Sequence, residues 1–267
     1  MNLFELANIA IYLLLGSIAG LFAGLLGVGG GLIIVPALIW VFRGSGFSPD
    51  LIVHLAVGTS LATIVVTSIS SVRAHHKRGA VLWKQVLELA PGIVVGAWIG
   101  AAVADYLPTL WLQRVFASFV IVVGLQMAFG GKTDAHRELP GLGGMSLAGG
   151  LIGMVSAIVG IGGGSMTVPF LNWCSVNIRN AVATSAACGL PIAVAGTIGF
   201  VVAGWGDAGL PLWSTGFVYW PGFLCIVCAS VLLAPLGARM AHTLPVNALK
   251  RVFSVLLLVV GARMLIG

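Results

Sequence analysis

Charge is scarce in this chain of 267 residues: Asp, Glu, Lys and Arg make up 7% of it, while 59% is hydrophobic. Soluble domains carry about 25% charged residues, so this chain lacks the means to cover a water-facing surface. Acids are the scarcer sign, with 7 Asp+Glu against 13 Lys+Arg. Glu5, Glu88 and Asp105 lie only near the ends of apolar segments. That weighs against carboxylate proton relays and cation channels, which hold acids within the membrane. Cysteine is sparse too. Cys174, Cys188, Cys225 and Cys228 fall in or beside apolar runs. The Cys225-x-x-Cys228 spacing has no second pair and no nearby His, so the cysteines read as small packing residues; no metal and no cofactor is expected. No basic face is interleaved with aromatics. The bases sit in short loops as topology signals facing anionic headgroups, and nucleic acid is not an expected partner. The first apolar run lacks a basic stretch before it and reads as a retained helix, not a cleaved signal.

What the sequence does have is apolar length and glycine, 38 residues of it. Apolar segments lie near 3–27, 30–42, 51–72, 86–105 and 112–129, then near 144–161, 163–174, 180–203, 215–236 and 249–266. Most are long enough to cross a bilayer, which needs roughly 17–25 residues. Glycine suits helices that approach closely in lipid.

The two sets of five are related. The stretch from Gly20 to Trp40 aligns without gaps on Gly153 to Trp173, with nine of 21 positions identical. Gly27, Gly29, Gly30, Gly31 and Pro36 fall on Gly160, Gly162, Gly163, Gly164 and Pro169. Ala56-Val-Gly-Thr-Ser60 falls on Ala181-Val-Ala-Thr-Ser185, Pro91-Gly92 on Pro221-Gly222, and Leu112–Met127 on Leu249–Met264. The expected fold is therefore an all-α integral membrane protein with two repeats, residues 1–135 and 136–267, and eight to ten membrane segments. The short second segment of each half makes its glycine run either a join between tilted crossings or the tip of a re-entrant hairpin.

Charge separates parallel from inverted repeats. If each glycine pair returns the chain to its starting side, ten bases (Arg73, Lys77, Arg78, Lys84, Lys132, Arg137, Arg179, Arg239, Lys250 and Arg251) face the cytoplasm. Arg43, Arg114 and Arg263 remain outside. With one crossing per pair the split is seven to six. The positive-inside rule favours inverted repeats with both termini outside the plasma (inner) membrane.

Broken helices at matching places in inverted repeats are a transporter design, with substrate held near the midplane. Non-helical backbone at that depth must line a cavity or be buried in protein. A helix that starts after a glycine run points free N–H groups and its positive dipole end at the break, which suits an anion. Gly29, Gly30 and Gly31 with Gly162, Gly163 and Gly164 are the candidate backbone site; tight packing alone is the competing account. Thr59, Ser60, Thr184 and Ser185 either donate to the anion or bond their own helix carbonyls. Ser165, opposite Leu32 in the repeat, implies an asymmetric site. Thr63, Thr67, Ser68, Ser70 and Ser71 form a polar run that reads as a water-facing stripe. Arg73 and His75 are candidates for the cytoplasmic mouth, within the basic run Arg73–Lys84. No nucleophile–base pair lies in the spans, which disfavours an enzyme.

The duplicated Gly-x-Gly-Gly-Gly-x(4)-Pro motif, with Ala56-Val-Gly-Thr-Ser60, resembles the sulfite exporter TauE/SafE family. His75-His-Lys-Arg-Gly79, Leu89-Ala-Pro-Gly92 and Leu249-Lys-Arg-Val-Phe-Ser254 fit the same resemblance along nearly the whole chain. It implies secondary transport, with export expected, of small sulfur anions such as sulfite, sulfoacetate or other organosulfonates. Substrate, direction, a coupling ion (proton or sodium) and a homodimeric state stay open. An anion channel, or a permease for another small organic anion, is the alternative.

Overall fold

The computed structural model describes residues 3–26, 30–129, 138–240 and 246–266. The expected boundary at 135/136 and Gly29 lie outside the described residues, as do the side chains of Lys132, Arg137, Lys250 and Arg251. The first five helices are α1 (Leu3–Leu26), α2 (Gly31–Gly44), α3 (Ile52–His76), α4 (Trp83–Tyr106) and α5 (Thr109–Phe129). The second five are α6 (Leu142–Val159), α7 (Gly164–Trp173), α8 (Ile178–Ala203), α9 (Trp220–Met240) and α10 (Val246–Ile266). Each apolar segment became one helix, because in lipid the backbone must satisfy its hydrogen bonds within the segment. Among the described residues seven helices are long and apolar enough to cross a membrane. The chain is an all-α, multi-pass integral membrane protein. Its one small sheet pairs β1 (Ser214–Thr215) with β2 (Val218–Tyr219) just before α9.

Helix partners cross between the halves. α1 packs along α9, α6 along α4, and α5 along α10, with α3 and α8 together at the centre. Exchanging the halves maps each of these pairings onto another or onto itself. The neighbours run in the same direction: Gly92, Gly96 and Gly100 of α4 lie against Ser146, Gly150 and Met154 of α6. Likewise Gly16 and Gly20 of α1 lie against Ile226 and Ser230 of α9. A Cβ at Gly16, Gly20, Gly92, Gly96 or Gly100 would run into the facing backbone. The central helix α3 is the most enclosed span, with 17 of its 25 residues buried.

Long-range contacts define two ends. At the Arg43 end, Arg43 Nη2 donates to Gln113 Oε1 (2.8 Å) and Gln113 Nε2 donates to the Met264 carbonyl (2.7 Å). These bonds gather the last turn of α2, the first of α5 and the last of α10. His54 Nε2 lies 3.0 Å from the Ala104 carbonyl, joining the start of α3 to the end of α4. The hairpin sits here too: Phe217 stacks near His54, and Tyr219 meets Phe42 and Phe47 edge-on. At the Arg73 end, Trp83 Nε1 donates to His76 Nδ1 (3.1 Å), joining the end of α3 to the start of α4.

Candidate functional site

The two glycine breaks have the same local geometry. Gly30 (φ 78°) caps α2 and Gly163 (φ 71°) caps α7, both left-handed. Only glycine takes this conformation without a steric cost. The Gly30 carbonyl accepts from the N–H groups of Ile33 (3.0 Å) and Ile34 (3.1 Å). The Gly163 carbonyl accepts from Met166 (3.0 Å) and Thr167 (2.8 Å) in the same pattern. The breaks also touch: a Cβ on Gly31 would strike the Gly160 carbonyl and lie 2.9 Å from Ile161 Cα.

Around the second break, several polar groups have no hydrogen-bond partner. No side chain caps α7. Among the described residues the N–H groups of Gly164 and Ser165 have no hydrogen-bond partner. Ser71, Ser156, Ser165 and Thr167 are buried, and their hydroxyls are unpartnered. Ser156 Oγ lies 3.3 Å from where a Gly163 side chain would begin. Beside this point is a very small cavity of about 10 Å³ lined by Thr67, Ser68 and Ser71 of α3, Gly162, Ala23 and Gly189. Buried polar groups are normally hydrogen-bonded, so hydroxyls left without a partner beside one uncapped helix end are the natural place to look for a bound group.

The expected hydroxyl sites divide by partner. Ser60 Oγ donates to the Gly160 carbonyl (2.8 Å), tying α3 to the second break. Ser185 Oγ donates to the Val182 carbonyl (2.8 Å) of its own helix. A serine has one O–H, so neither donates to a ligand in this conformation. Thr59 Oγ1 accepts from the Tyr219 N–H (2.9 Å), and Thr184 Oγ1 accepts from the Leu82 N–H (3.1 Å). Each threonine thus holds the residue that leads into a helix of the other half, α9 or α4. Thr184→Val keeps the shape and removes that acceptor. The expected loss is about 1 kcal/mol, the usual worth of a helix-start acceptor. A thermal melt in detergent measures it, and an unchanged midpoint would deny the bond any structural value.

The polar run on α3 is not a water-facing stripe: Thr63, Thr67, Ser68 and Ser71 are all buried, because α3 is enclosed by the other helices. Of the two mouth candidates, His75 is buried in the last turn of α3, with Nε2 3.3 Å from the Gly24 carbonyl of α1, while Arg73 is exposed. Ser156 was not singled out from the sequence. Its signal is a lone hydroxyl four residues before Gly160, where the first half has Ala23.

The family model for sulfite exporter TauE/SafE matches residues 12–264. A probable membrane transporter protein of Haemophilus influenzae is 39% identical over 259 residues, covering 96% of this chain and 97% of the relative. One from Methanocaldococcus jannaschii is 28% identical over 265 residues, with 96% and 95% covered. The probable membrane transporter protein YunE of Bacillus subtilis is 25% identical over 279 residues, with 97% of each covered. No solved structure matches. With the family model spanning residues 12–264 and a relative 39% identical over nearly the whole chain, this chain belongs to the sulfite exporter TauE/SafE family.

Proposed function

We propose that this membrane protein is a secondary transporter moving small sulfur oxyanions, sulfite or organosulfonates, by alternating access, with export as the direction. The observation that carries the reading is the group of unpartnered donors at the second break: uncapped α7, with the hydroxyls of Ser71, Ser156, Ser165 and Thr167 idle nearby. Backbone N–H groups and hydroxyls are neutral donors, so they hold an anion without the desolvation cost of a buried cation. At the first break, Leu32 and Ile34 stand where α7 has Ser165 and Thr167. The substrate is therefore held mainly by α7, α6 and α3, with α2 closing one side.

The halves act as inverted repeats. In support, α2 returns to the Arg43 end, while α7 belongs to the half whose α8 finishes there, beside the hairpin (Phe217 N–H to Phe200 O, 3.2 Å). Arg73, Lys77, Arg78, Lys84, Arg179 and Arg239 flank the opposite helix ends, which makes those ends cytoplasmic by the positive-inside rule and leaves the termini outside. Phe42, Phe47 and Tyr219 close the outer end in this conformation. Alternating access then requires that this aromatic cover open while the Arg73 end closes.

Proteoliposome counterflow tests the reading with sulfite, sulfoacetate, a carboxylate and chloride. Sulfur anions should exchange and move uphill against a coupled gradient. Ser165→Ala and Thr167→Val should each weaken apparent affinity about tenfold, since a hydrogen bond to a charged group is worth roughly 1.5–3 kcal/mol. If only passive, gradient-driven currents appear, the protein is a channel. If no sulfur anion moves or competes, the substrate class is wrong.

A further inference from the structure

A second cavity runs between α2, α5 and α10, open to the outside of the bundle. It is a groove of about 420 Å³ with an apolar wall that includes Leu32, Pro36, Leu256 and Val260. Its lining also holds three polar groups, Arg43, Gln113 and Arg263, all at the Arg43 end. Both arginines are exposed, and among the described residues no acid lines the groove. Trp40, 63% exposed, stands on the same wall.

We propose that this groove is a binding site for one phospholipid with an acidic headgroup, in the leaflet at the Arg43 end. Its phosphate sits between Arg43 and Arg263, and an acyl chain runs along α2 toward the bilayer centre. Three features choose this occupant. The charge is confined to one end and is of one sign, as a headgroup phosphate needs. The rest of the wall is apolar, as a hydrocarbon chain needs. The length also fits: from Arg43 back to Leu32 is eleven residues, about 16 Å of helix, close to half of a hydrocarbon core about 30 Å thick. A soluble anion would use the arginines and leave the apolar length empty. The far end of the groove reaches Leu32 and Ile33, within a turn of the left-handed Gly30. A chain seated there braces α2 just beyond its break.

Native mass spectrometry of the purified full chain tests this, with phosphatidylglycerol and phosphatidylcholine of identical chains. The wild type should retain phosphatidylglycerol at least tenfold better. Arg263→Gln, whose side chain makes no hydrogen bond that the fold depends on in the described set, should bring the two lipids within about twofold. Val260→Trp, which fills the wall, should lower retention of both. Size-exclusion profiles check that each variant is folded. Equal retention by wild type and both variants overturns the proposal, and so does equal retention of the two lipids by the wild type. Displacement by soluble glycerol phosphate at similar concentration would make the site a small-anion site. Efficient cross-linking between cysteines placed at Leu256 in two copies would assign the groove to a dimer contact.

Discussion

Gly163→Val is expected to lower transport by about ten- to a hundredfold while the protein still inserts and purifies as a single species. Gly163 is left-handed, and a β-branched side chain in that region is strained by about 1–3 kcal/mol. The added Cβ also falls against Ile192 Cδ1 and lies 3.3 Å from Ser156 Oγ. Ile192 is flexible at that atom and can turn aside. Ser156 is one of the proposed ligand donors, so the variant both strains the start of α7 and crowds the anion. Gly163→Ala should show a smaller loss, because alanine carries the strain without the branched bulk. Gly30→Val shares the left-handed penalty and places a Cβ 3.0 Å from the Ala19 carbonyl, but it faces no idle hydroxyl. Its loss should appear in turnover more than in apparent affinity. Counterflow rates over a range of substrate concentrations separate the two effects. Full activity in both variants would return the glycines to a packing role.

The largest loss of stability should come from Gly96→Leu. A Cβ at Gly96 would overlap the Gly150 carbonyl and lie 2.8 Å from that carbonyl's carbon. Backbone cannot turn aside as a side chain does, so α4 and α6 must separate. Their contact recurs at Gly92, Gly100, Gly149 and Gly153, so a shift at one point opens the seam along several turns. In lipid this seam is held by van der Waals contact, with little hydrophobic drive to close it again. Overpacking costs typically 1–3 kcal/mol and occasionally more; a clash with backbone belongs at or above the top of that range. Gly143→Leu is the control, because nothing stands within 4 Å of a Cβ there. Thermal melts and elution profiles in detergent should show Gly96→Leu greatly destabilised and Gly143→Leu unchanged. Equal behaviour of the two would mean that the helices do not approach as closely as described.

The sequence made the helices legible because hydropathy is a property of short stretches. The segment near 180–203 became α8, Ile178–Ala203, and the one near 112–129 became α5, Thr109–Phe129. The glycine runs were legible as breaks for a similar reason: a left-handed residue before a helix needs glycine, and the repeat put one at Gly30 and again at Gly163. The two-residue strands before α9 were not foreseen. They are too short to show a period, and they exist because the hairpin is held by contacts with α3 and α8, such as Tyr219 N–H to Thr59 Oγ1.

Hydroxyl roles were the least legible. Ser60 and Ser165 are the same residue type, and both stand at the repeat's marked positions. Ser60 donates to Gly160, a hundred residues away, whereas Ser165 is buried with no partner. The same holds for Ser71, which looked like part of a wet stripe and is 2% exposed.

By itself the sequence determined that the chain lives in lipid, that it comes as two related sets of helices, and where each set is interrupted. Those follow from residue-by-residue hydropathy, self-similarity and the conformations open to glycine. Only the tertiary structure decided that the breaks touch at Gly31 and Gly160, and that α4 pairs with α6 and α1 with α9. It also decided which hydroxyls are left idle beside α7. Whether a hydroxyl is free depends on what comes within about 3 Å of it, and for Thr59, Ser60 and Thr184 those neighbours come from the other half.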